Sequence, residues 1–211
     1  MFVRRAFAAC LMGALTLGVV SLAAQEKKAA PEKRAAAKQQ PMDEKAMMEM
    51  MQKLATPGPG HKKLDVLVGA WQAKTTMWMD PAAPPAVSEG TSTHKWVLGG
   101  RFLEQSFDGT FMGKPFSGLG YTAYDNYKKK YISTWMDTLG TMIMITTGSF
   151  DPAGKVLTST GKIDDFTTGK VATIREKMTI VSSNEILFEM WGPAPDGKDY
   201  RMMEIRYTRK K

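Results

Sequence analysis

From Gly69 to Arg209 the chain breaks into about ten short segments of alternating apolar and polar residues, each closed by a turn signal. The pattern predicts strands over 71–79, 88–98, 101–111, 116–124, 130–137, 142–150, 155–164, 170–181, 185–191 and 199–209. Asp80-Pro81-Ala82-Ala83-Pro84-Pro85 must be a loop, because consecutive prolines cannot donate to a ladder. Gly99-Gly100, Asp151-Pro152-Ala153-Gly154 and Ser182-Ser183-Asn184 read as tighter connections. No segment of helical period interrupts this run. Successive strands joined by short turns form a meander, and closing the meander removes the exposed sheet edges that invite aggregation. The expected fold is all-β: an antiparallel up-and-down β-barrel of about ten strands, large enough for a packed core or one small ligand.

The residues before the barrel have three different characters. Met1-Phe2-Val3-Arg4-Arg5, an apolar stretch over 6–22 and the small-x-small triplet Ser21-Leu22-Ala23 predict an export signal over 1–23, cut before Ala24, with an uncleaved anchor as the alternative. Residues 24–42 are rich in Ala, Lys, Glu and Gln and carry no aromatic residue, a composition that predicts a disordered linker. Over 43–55, Met47, Met50, Met51 and Leu54 recur at helical spacing, predicting a short amphipathic helix that packs on the barrel. Thr56-Pro57-Gly58-Pro59-Gly60 ends it, and the barrel domain is assigned to 57–211.

Cys10, the only cysteine, lies inside the signal, so the mature chain has neither disulfide nor thiol nucleophile. Of the formal charge of +8, Arg4 and Arg5 supply two. The remaining surplus is dispersed, with dense runs only at Lys128-Lys129-Lys130 and Arg209-Lys210-Lys211, and no nucleic-acid partner is expected. The expected location is the periplasm or the exterior, without stable membrane insertion once the signal is removed. Oligomeric state is not legible.

Gly69-Ala70-Trp71, ahead of the first strand, resembles the Gly-x-Trp signature of calycin barrels, of which lipocalins are familiar members. That resemblance implies a structural plug: an indole closing one end of the barrel under a cationic side chain from the last strand. Met203, Ile205, Tyr207 and Arg209 share a strand face, so Arg209 rather than Arg206 is the expected partner of Trp71. Met77-Trp78-Met79-Asp80-Pro81, Trp96-Val97-Leu98-Gly99-Gly100-Arg101-Phe102-Leu103, Tyr124 to Asp137 and Pro193 to Lys198 also resemble a bacterial family of exported domains of unknown function, numbered fifteen seventy-nine in its series. The resemblance spans nearly the whole domain. It implies a fold and an exported location but no catalytic residues.

Alternation places several polar groups among apolar ones. Glu176 shares a face with Ile174, Met178 and Ile180; Arg101 and Gln105 share one with Leu103 and Phe107; Trp135 shares one with Asp137. These five, Arg101, Gln105, Trp135, Asp137 and Glu176, are the candidate ligand-binding residues, as polar handles inside an apolar cavity or as a structural ion pair between strands. His94, on the face of Trp96, reads as an ordinary buried histidine rather than a haem ligand. No Gly-x-Ser-x-Gly elbow and no zinc spacing is present, so neither a catalytic set, a metal nor a cofactor is expected. The clustered methionines of 42–51 could in principle hold Cu(I), but packing is the reading preferred. The function expected is an exported barrel for a small apolar or amphipathic ligand. The alternatives are an enzyme working through Glu176, Arg101 or Asp137, and a filled barrel acting through its surface.

Overall fold

The computed structural model describes residues 43–165, 169–194 and 197–211. The expected signal and linker lie outside the described residues. Helix α1 runs Glu44–Ala55 and is capped by Asp43, whose carboxylate accepts from the Ala46 amide at 2.8 Å. A second, four-residue helix α2, Pro59–Lys62, and a 3₁₀ turn, Asp65–Leu67, lead into the sheet.

Ten strands follow: β1 Gly69–Met77, β2 Ala86–Val97, β3 Phe102–Phe111, β4 Lys114–Asp125, β5 Lys130–Asp137, β6 Met144–Phe150, β7 Val156–Asp165, β8 Lys170–Ser182, β9 Glu185–Pro193 and β10 Asp199–Arg209. Each pairs antiparallel with its neighbours in sequence. β1 also pairs with β10, Trp71 opposite Arg209 and Met77 opposite Met203, which closes the barrel. The expected fold is therefore the observed one. Outside the register shifts between Arg201 and Met203 and between Ile180 and Ser182, the strands keep a period of two, so one set of side chains faces the lumen and the other faces solvent.

The two ends of the barrel differ. At one end the segment from α2 through the 3₁₀ turn lies across the opening as a lid, burying Leu64 and Leu67. Side chains from the wall fasten it. The Tyr131 hydroxyl donates to the Gly60 carbonyl at 2.8 Å, the Trp96 indole to Asp65 at 2.9 Å and the Trp71 indole to the Leu67 carbonyl at 2.8 Å. Under this lid sits the core of Trp71, Leu103, Tyr131, Leu157, Ile186 and Tyr207. The other end carries the β1–β2, β3–β4 and β5–β6 connections, whose Met79, Met112, Leu139, Met142 and Ile143 are exposed.

Helix α1 departs from the packing expected of it. None of its residues is buried, and Met47, Met48, Met50 and Met51 are exposed. The polar side, through Glu49, Gln52 and Lys53, lines a cleft of about 560 Å³ shared with Asn126 and Lys129 of the β4–β5 turn. Leu54 also lines this cleft and is half-buried, while the methionines face away. Asn126 holds the helix end, its amide donating to the carbonyls of Leu54 at 2.9 Å and Thr56 at 2.8 Å. Those hydrogen bonds satisfy terminal carbonyls and hold the helix end while its methionines stay exposed.

Candidate functional site

The plug at the lidded end is built from three positions. Trp71 is fully buried. The Arg209 guanidinium lies over its ring, 4.1 Å from the centroid, and donates to the carbonyls of Val66 and Val68 at 2.7 Å and of Ser183 at 2.8 Å. Charge-assisted hydrogen bonds and a π face thus share one cation. Gly69 makes this possible twice over. Its φ of +130° suits glycine, and a Cβ there would stand 2.5 Å from an Arg209 terminal nitrogen. These roles are structural.

Above the plug, inward polar groups form a chain. The Ser92 hydroxyl donates to the Ser106 carbonyl at 2.9 Å, so at its 3.0 Å contact with His94 the imidazole Nε2 must be the donor. The Gln105 amide donates to the Ser92 hydroxyl at 3.3 Å and to the Tyr207 hydroxyl at 3.2 Å. Burial, and then the positive charge of Arg209, lower the His94 pKa from 6.5 to about 4, so its ring is neutral at pH 7. Burial pushes the Tyr207 hydroxyl up to about 12, with the Gln105 hydrogen bond opposing. Gln105 faces inward, but as a member of this network.

Nearer the open end the wall is shaped by glycine. Gly118 and Gly120 on β4 lie beside Trp135 on β5, and a Cβ at Gly118 would collide with the indole. The ring therefore lies flat on the wall instead of crossing the lumen. Its Nε1 donates to Asp137 at 2.9 Å, and the other Asp137 oxygen accepts from the Leu139 amide at 2.9 Å. Glu176 points inward from the middle of β8, cross-strand from Ser159 and Met190. Thr146 donates to its carboxylate at 2.8 Å. Burial raises the Glu176 pKa, and the Thr146 hydrogen bond opposes that shift. Trp135, Glu176, Met178, Phe188 and Met203, all on inward faces, remain part-exposed, whereas Ile174 and Thr146 are buried. Part of the lumen between the open end and the plug is therefore reached by water.

Arg101 is not in this lumen. Leu98, Gly99 and Gly100 all take positive φ, and the turn they form extends through Arg101, which is exposed. Its guanidinium donates to the Leu98 carbonyl at 3.1 Å. The expected alternation thus starts one residue too early, and among the described residues no ion pair joins Arg101 to Glu176. Ion pairing between strands occurs on the outer wall instead. There Glu189 is buried beneath Arg201 at 3.2 Å and Lys177 at 3.4 Å, and Arg201 stacks over Trp78. Sequence reasoning missed that group because alternation marks Glu189 as outward and says nothing of its cover. It also missed the Ser92–His94–Gln105–Tyr207 chain, whose members come from three strands. Among the described residues no three His, Cys, Asp or Glu side chains converge as a metal site would require.

In solved structures the same barrel occurs in Rv2717c from M. tuberculosis, at 15% identity and a TM-score of 0.56, covering 74% of this chain and 100% of that one. It occurs again in the S-type phycobiliprotein lyase CPES from Guillardia theta, at 10% identity and a TM-score of 0.52, covering 74% of this chain and 99% of that one. At these identities the likeness is one of fold. No curated protein matches the chain in sequence. Residues 56–209 match the model of a protein family of unknown function, and the chain belongs to that family, DUF1579.

Proposed function

We propose that this protein is an exported carrier that holds one small apolar or amphipathic molecule in the open half of its barrel. The observation that supports this most is the part-exposed inward face. A filled barrel would bury Trp135, Glu176, Met178 and Phe188 as completely as Trp71 is buried beside the lid. An apolar wall with a few inward polar groups is the usual composition of a small-molecule site. Methionines at Met178, Met190 and Met203 suit a ligand of variable shape, because an unbranched thioether repacks easily. Export is supported by the sequence of residues 1–23. The test is native mass spectrometry of protein purified from its own host, combined with N-terminal sequencing. The expected result is a bound small molecule released on unfolding, and a mature chain that starts near Ala24. Ligand-free protein that also fails to bind Nile red saturably would refute the carrier, and an intact Met1 would refute cleavage.

A further inference from the structure

We propose that the ligand of this lumen carries a protonated amine on an apolar body, and that the barrel discriminates against carboxylates. This rests on the carrier reading and names the chemistry of its ligand. The argument is the sign of the charge facing inward. On the inward faces of the described strands, Lys114 and Lys170 begin β4 and β8 at the open rim and are exposed to solvent, while Arg209 is already held at the plug by three backbone carbonyls and the Trp71 ring. Arg201 stands two residues before Met203 and by simple alternation would also turn inward. A register shift between Arg201 and Met203 carries it outside, where it pairs with Glu189 and Glu204. His94 is held neutral by its burial and by the positive charge of Arg209. The carboxyl groups of Glu176 and Asp137 therefore face the lumen with no cation paired to either among the described residues. Thr146 serves Glu176, and the Trp135 indole and Leu139 amide serve Asp137.

A carboxylate in partly desolvated surroundings lacks its counter-charge, and a ligand ammonium would supply it through a charge-assisted hydrogen bond. A ligand carboxylate would instead meet like charge in a region of low dielectric. Asp137 stands at the open end, and Trp135 lies beside it over Gly118 and Gly120, a π surface that attracts a cation. Beyond Glu176 the inward surface of Met178, Phe188 and Met203 is apolar and matches a hydrocarbon body.

The test uses the full chain at pH 7.5 with the neutral dye Nile red, displaced by dodecylamine, dodecanol and dodecanoate, each below its micellar concentration. Dodecylamine is expected to displace the dye at a concentration at least about tenfold below that of dodecanoate, with dodecanol between them. Glu176→Gln should weaken dodecylamine by roughly tenfold and leave dodecanol unchanged. Equal displacement by amine and carboxylate would overturn the proposal while leaving the carrier standing, as would an amine preference that survives in Glu176→Gln and Asp137→Asn alike. Absence of saturable dye binding by the wild-type chain would overturn the carrier and this inference with it. Should Glu176→Gln not fold, the order of the three competitors on the wild-type chain still decides.

Discussion

The most direct physical consequence of the buried network is a loss of stability in mild acid that belongs to one histidine. His94 has an ordinary pKa of 6.5 in the unfolded chain and about 4 in the barrel. Because the folded value is the lower one, the unfolded state binds the proton first as pH falls. The stability His94 contributes is complete above pH 6.5 and is lost progressively down to about pH 4. At 1.36 kcal/mol for each unit of difference, the loss between pH 7.5 and pH 4.5 is about 2.5 kcal/mol. Glu176 acts in the opposite sense. Its raised folded pKa gives a penalty in the ionised state that is relieved as pH falls, so the two must be separated by mutation. The assay is urea unfolding at both pH values for the wild-type chain and His94→Gln, which keeps a side-chain amide near Ser92. The difference between the two proteins should shrink by about 2.5 kcal/mol on acidification, as the wild type loses what the variant lacks. Parallel losses in wild type and variant would refute the neutral, buried imidazole. So would a charged imidazole in the folded protein's ring-nitrogen NMR spectrum at pH 5.5.

Other outcomes follow from single contacts. Trp71→Ala should destabilise by about 3–5 kcal/mol, the range for truncating a buried aromatic, measured as a fall in unfolding midpoint. Arg209→Leu should cost about 2–4 kcal/mol, because the carbonyls of Val66 and Val68 lose their donors beneath the lid; a negligible change would mean that water replaces the guanidinium. Glu176→Gln should raise stability at pH 8 and lose that advantage as pH falls below the carboxyl's raised pKa, read from the same urea titrations. Deleting residues 1–53 should leave barrel stability within about 0.5 kcal/mol, since α1 buries none of its side chains; a larger loss would place the helix in the core.

The strand number, their order and the closure of the barrel are legible in the sequence because they follow from local rules. A period of two requires a pleated strand with one wet face, and the proline and glycine punctuation fixes where each strand ends. The plug is legible for a related reason: strand parity returns β10 to the end from which β1 departs, and alternation gives Arg209 the face that meets Trp71. Glu176 and Trp135 keep their expected faces because no irregularity interrupts their strands before them. Alternation fails where the chain loses phase. Arg101 belongs to a turn of positive-φ residues and so takes no strand face, and the shift after Arg201 expels a guanidinium that a regular strand would have turned inward. Tertiary structure alone decides cover, which periodicity cannot express. Glu189 is an outward residue buried by side chains from two neighbouring strands, and the methionines of α1 stay exposed while Asn126 holds the helix by its terminal carbonyls. The sign of the charge left inside the barrel is likewise a tertiary property. It depends on which cations the bulge, the turn and the plug have already taken.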